Sequence, residues 1–361
     1  IGEYAFKGCS NLGRVEIPAG MTELGNRSFE ESGITEIVLP EGMKTIGYDA
    51  FSGCSNLRSV SLPSTLTKLG SSVFYNCTNL ETVNLPKSIT KIDYSTFRGC
   101  KAVTEVVIPE LVTSIGGSAF EGCTALHSVT IPQGVTAIEQ SAFKDCESLT
   151  EIQLPSSLAR LGFSAFSGCK KLTRVDIPRG VTEIGTGMFS DCEALASVSI
   201  PDTVISIGRG AFDGCTALTE IKIPNGVPSI EGRTFFGCES LTRVELPDSV
   251  TSIGYSAFGR CSGLTELTLS NSLSTIEYQA FSGCTALTHV ELPEGLTSIG
   301  NYAFSSCEKL TELSIPSTVN TIGERAFYSC SSLTELVIPE GVGEIGRETF
   351  YKCTALRRIS L

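Results

Sequence analysis

The chain has 361 residues, 41% hydrophobic and 18% charged, with 36 Gly, 15 Pro, 15 Cys and no Trp. It is too apolar for disorder, and its formal net charge of -12 disfavours phosphate backbones and anionic membranes as partners. No run approaches the roughly 18 apolar residues that a membrane-spanning helix needs, so no membrane insertion is expected within this chain.

Internal repetition outranks length as a guide to domain organisation. From Cys54 to Cys353 every cysteine lies 23 residues after the last, and the gap from Cys9 to Cys54 is 45, with Ser32 on the missing rung. Taking Ile46–Lys68 as the unit and numbering its positions from Ile46, position 1 is Ile or Leu and position 6 is Phe in all sixteen units. Position 9 is Cys, positions 12, 15, 17 and 21 are aliphatic, and position 18 is Pro in fourteen units. The expectation is an α/β-type repeat solenoid of about sixteen 23-residue units, one body over residues 1–361. The sequence starts at Ile1 and stops inside a repeat, and so reads as an uncapped excerpt of a longer protein.

Within each unit, the stretch typified by Ser118–Cys123 predicts one helical or 3₁₀ turn on the outer side. The next stretch, typified by Leu172–Pro178, alternates apolar and polar residues and predicts a short strand, parallel to its copies and ended by Pro. Recurrent Gly at positions 2 and 20 (Gly47, Gly70, Gly116, Gly162; Gly42, Gly134, Gly180, Gly295) predicts sharp turns with positive φ around the V-x-x-I segment. Three departures predict local kinks: a residue missing between Glu30 and Ile34, Ser270 in place of Pro, and an added Pro228.

This pattern, as in Cys123–Asp145 with only Glu139 off-consensus, resembles the leucine-rich repeat of the BspA-like class, also called the Treponema pallidum type. The resemblance covers the whole chain. It implies an arc or horseshoe with a parallel concave sheet and short outer turns. It also implies an exported or cell-surface location, in proteins some of which bind host proteins or other cells.

The cysteines read as buried free thiols, because fixed spacing and an odd count fit neither a disulfide framework nor a zinc site. No cofactor and no metal site is expected. Catalysis is not expected either: His127 and His289 are seven repeats apart, roughly 34 Å at ordinary strand spacing.

Positions 13, 14 and 16 of the strand point outward in this reading. On the concave face the partner-binding candidates are Arg174, Asp176, Lys222, Arg243, Glu245, Glu266, His289, Glu291, Glu312 and Glu335. Their variation fits a recognition surface and equally an unconstrained solvated face. Position 13 is Thr in ten units, which fits strand propensity alone. On the outer or lateral side, Tyr255, Tyr278, Tyr302, Tyr328 and Tyr351 are candidates as anchors, or else half-buried ladder residues. The expected function is non-enzymatic recognition or adhesion, with protein as partner and glycan as a second class. Structural self-association and an intracellular protist scaffold are the alternatives. The sequons at Asn26 and Asn76 matter only in a host that glycosylates exported proteins.

Overall fold

The computed structural model describes all residues, Ile1 to Leu361. By contact density the chain divides into two units, Ile1–Val181 and Thr182–Leu361. Each unit is a stack of the same turn. Fifteen full turns are followed by a partial one from Ile345.

Every turn but the one at residues 151–153 carries a front strand at positions 14–16, shortened to Thr82–Val83 in one turn, and most turns carry a two-residue second strand at positions 23 and 1. Both pair in parallel with the same strand one turn away. In Ile1–Val181, Glu105 faces Ser128 and Ser114 faces Ala137. In Thr182–Leu361, Arg243 faces Glu266 and Ser252 faces Thr275. The front ladder is interrupted: His289–Glu291 pairs with Glu312–Ser314, while Glu335–Val337 pairs with Arg358–Ser360 in a separate sheet.

The helical component of the α/β expectation is not observed, as no segment is helical. The reason lies at positions 4 and 8, which hold positive φ throughout, for example 54° at Ser118, 55° at Ser141 and 57° at Asp145. A left-handed residue every fourth position cannot extend a right-handed helix. The amides at positions 4, 6 and 8 therefore donate across turns instead of along the chain. Asp49 N donates to Ser71 O (3.0 Å), Phe51 N to Val73 O (3.0 Å) and Gly53 N to Tyr75 O (2.7 Å). These bonds form a third inter-turn ladder, and it satisfies backbone groups that burial would otherwise leave unpaired.

The glycines do other work than expected. Gly47 has no positive φ; a Cβ there would lie 2.6 Å from the Asn26 amide nitrogen. Glycine at position 2 thus permits close approach of neighbouring turns, with Asp93, Glu139, Glu231 and Glu277 in its place in four turns, and of the position-20 glycines named above only Gly42 has a positive φ, at 101°. The residue missing from the second turn falls between Ser32 and Ile34, where a Cβ on Gly33 would meet Ser10 O at 1.9 Å. Ser270 is fully buried, and its hydroxyl accepts from Ser272 N at 3.0 Å, a polar substitute for the missing proline.

The core is a set of ladders. Phe51, Phe74, Phe97, Phe120 and Phe143 are wholly buried, and successive rings stack at 5.6, 5.4, 5.3 and 5.2 Å. In the second unit Phe258 and Phe281 stack at 5.3 Å, 2° from parallel. The thiols beside them are more than spacers. Cys77 Sγ donates to Phe51 O (3.1 Å), and the same bond recurs at Cys123 to Phe97 (3.1 Å) and Cys261 to Phe235 (3.1 Å). Each position-9 thiol thus reaches the position-6 carbonyl of the preceding turn, a carbonyl that also accepts the position-9 amide of its own turn. Ser32 contacts Cys54 Sγ at 3.4 Å on the rung without cysteine. Cys9 departs from the buried-ladder expectation: in the first turn it is exposed.

Candidate interaction surface

On the front strand, position 15 points into the core and positions 14 and 16 point to solvent, because successive strand residues face opposite ways. All ten candidates named from sequence are exposed. Arg174 and Asp176 lie in Ile1–Val181 and pair with each other at 3.0 Å. The other eight lie in Thr182–Leu361. Arg243 reaches Glu245 (3.6 Å) and, one turn on, Glu266 (3.7 Å). Lys222 turns to Asp202 (3.5 Å) and His289 to Glu291 (3.5 Å). Exposed pairs of this kind add about 0–1 kcal/mol each to stability, so the fold does not explain their presence. Glu312 and Glu335 share position 14 on adjacent turns, and neither has an ion-pair partner.

Cavities open along this face, a small one of about 270 Å3 beside Arg14, Glu16, Glu36 and Val38 among them. One of about 820 Å3 is bordered by Ser197, Glu220, Lys222, Arg243, Glu245 and Glu266. A second of about 470 Å3 is bordered by His289, Glu312, Glu335, Val337 and Arg358. In the first unit, a groove of about 710 Å3 is bordered by Asn84, Leu85, Lys87, Glu105, Val107 and Leu111. Sequence reasoning passed over this apolar groove. Its signal was Leu111, exposed at a position that is commonly Gly, Ser or Thr, next to exposed Val107.

Position 13 belongs to the frame. Thr173 Oγ1 donates to Thr150 O (3.3 Å), Thr242 to Thr219 O (3.3 Å) and Thr265 to Thr242 O (3.1 Å), a hydroxyl ladder between turns.

The tyrosines separate into groups. Tyr255 lies beneath the Arg209 guanidinium at 4.9 Å, with its ring over Gly232. Tyr278 and Tyr302 meet edge to face at 5.8 Å, and Tyr328 stacks on Tyr351 at 5.2 Å. Arg325 donates to the Tyr302 hydroxyl and pairs with Glu348 at 2.7 Å. The Glu348 and Tyr302 hydrogen bonds raise the Arg325 pKa, and the Arg325 hydrogen bond holds the Glu348 carboxyl below its ordinary value. Tyr278 and Tyr351 remain about half exposed.

Burial pushes the ladder thiols up, Cys123 to about 12, so at neutral pH they are protonated and not nucleophilic. No group of three or more His, Cys, Asp or Glu is placed to hold a metal ion, and no helix is long and apolar enough to cross a membrane.

The geometry agrees with the comparisons. A leucine-rich-repeat protein from Bacteroides ovatus superposes with a TM-score of 0.74 at 29% identity, over 90% of this chain and 92% of that one. A leucine-rich cell surface protein from Faecalibacterium prausnitzii gives a TM-score of 0.55 at 31% identity, over 95% and 86%. A leucine-rich-repeat protein from Eubacterium ventriosum gives 0.58 at 27% identity, over 80% and 81%. No curated protein matches. The model described as BspA type leucine-rich repeat region (6 copies) matches residues 1–104, 90–216, 182–288 and 274–361. The chain therefore belongs to the BspA-type leucine-rich-repeat family.

Proposed function

We propose that this chain is a non-enzymatic recognition module that binds protein partners at a cell surface or outside the cell, through positions 14 and 16 of its front strands. The observation that carries this reading is a division of labour within the strand. Position 13 is committed to the hydroxyl ladder and position 15 to the core. Positions 14 and 16 hold varied, exposed side chains that the fold does not use. Leucine-rich-repeat folds commonly mediate protein binding, and the similar Faecalibacterium prausnitzii protein is described as a cell surface protein. No Phe, Tyr or Trp stands at these positions, so affinity would come from charge pairing and shape.

The test is binding of the full chain to immobilised extracellular proteins and to cultured cells. Reversing Arg174→Glu, Arg243→Glu and Glu266→Arg together is expected to abolish retention while leaving the melting temperature unchanged. Unaltered retention would reject the strand face as the binding surface. A second reading, lateral packing into an assembly, is favoured by half-exposed Tyr278 and Tyr351. Under that reading Tyr255→Ser with Tyr278→Ser lowers the sedimentation coefficient of the assembled species, and the charge reversals do not.

A further inference from the structure

The pair Glu312 and Glu335 stands out on the strand face. The two glutamates occupy the same outward strand position on neighbouring turns, a like-charge juxtaposition that a bound cation would relieve. The nearby bases do not serve: His289 turns to Glu291 at 3.5 Å, and Arg358, although in register with Glu335, forms no ion pair with it. The two strands also belong to separate hydrogen-bonded sheets, and the groove of about 470 Å3 lies across that interruption. Its border includes Val337, which is 65% exposed at position 16. Two carboxylates beside an aliphatic wall match the anatomy of a long basic side chain, whose methylene stem covers apolar surface while its charged end is paired. The surroundings add to the attraction: residues 182–361 contain 11 Lys and Arg against 21 Asp and Glu.

Resting on the recognition reading above, we propose that this groove seats an arginine or lysine side chain from an extended basic segment of a protein partner. A divalent cation is the poorer occupant, since calcium takes six to eight oxygen ligands and two carboxylates supply too few. His289 and Arg358 border the groove and disfavour a second cationic side chain in it, with exposed Glu294 and Glu340 available to neighbouring basic residues of the segment.

The probe is a short fluorescent peptide alternating arginine and serine, titrated into the full chain by anisotropy at about 0.15 M salt. Glu312→Gln with Glu335→Gln is expected to weaken binding about tenfold or more, and Val337→Ser about threefold. Glu239→Gln with Glu308→Gln makes the same change in net charge at exposed position 10 and is expected to shift binding by less than about twofold. Equal weakening by the two double variants would overturn the proposal, because the long-range field alone would then account for binding. So would failure of the parent to bind the peptide, or calcium alone binding at Glu312 and Glu335 and excluding it. If the peptide fails while retention on extracellular proteins is still lost in the Arg174, Arg243 and Glu266 variant, the recognition reading stands and the groove assignment falls.

Discussion

Ile1–Val181 and Thr182–Leu361 are built from one turn yet present different faces. The first unit has 16 Lys and Arg against 18 Asp and Glu, the second 11 against 21. The first shows Val38 and Val107 on its strand face at 65% and 68% exposure, with an apolar groove beside Leu111. The second carries the strand-face pairs of Arg243 with Glu245 and Glu266 and of His289 with Glu291, beside the unpaired Glu312 and Glu335. Core ladders are the same in both. The frame and the face are therefore encoded at separate positions, and one can change while the other does not.

Breaking the frame should cost the same in either unit. Phe143→Ala in the first and Phe258→Ala in the second are each expected to destabilise the local stack by about 3–5 kcal/mol, read by urea unfolding. A large difference between the two would mean that the frames are not equivalent. Gly47→Val and Gly254→Val force a side chain against the preceding turn, where a Cβ would lie 2.6 and 2.7 Å from a backbone nitrogen. Each is expected to lower stability by about 1–3 kcal/mol, with matching shifts in thermal melting.

Alkali should act on both units through the thiols. An unfolded cysteine ionises near pH 8.5, whereas burial holds Cys123 protonated to about 12. Between those values the unfolded chain has released protons that the native one retains. Stability is therefore complete below about pH 8.5 and falls toward pH 12, by about 1.4 kcal/mol per pH unit for each such thiol. Replacing Cys123 by Ala should lessen the slope by that one thiol's share. Smallest of all, Thr173→Val and Thr242→Val each remove one hydroxyl bond between turns and should cost about 0.5–1 kcal/mol. A null result at both sites would return position 13 to simple strand propensity.

The ladders at Phe143, Cys146, Leu149 and Ile152 were legible in sequence because burial enforces one residue type at one spacing. The outward direction of Arg243, Glu266 and Glu312 followed from strand alternation. The outer segment was misread because position 4 takes positive φ on residues such as Ser118, Ser141 and Arg233, which give no glycine-like signal, although the recurrent position-8 glycines, such as Gly53, Gly99 and Gly122, did carry one. Inter-turn bonding also exploits amides, which carry no sequence signature. The pairing of Arg325 with Tyr302 and Glu348 was invisible for a related reason: it joins residues 23 apart on either side, through side chains that vary from turn to turn. The groove beside Glu312 and Glu335 is bordered by side chains from four successive turns, and no single residue's identity announces that.

The thiol-to-carbonyl bond has a consequence for how such chains lengthen. Its donor and acceptor always belong to consecutive turns and are chemically the same at almost every junction. Excision of the 23 residues Ile253–Thr275 would join Ser252 to Ile276 in register and bring the Cys284 thiol, now facing Phe258, to the equivalent carbonyl of Phe235. The junction created would be indistinguishable from the ones removed. Turn number is thus nearly neutral for the frame, and gene duplication or recombination can add or delete surface by whole turns without inventing a new contact.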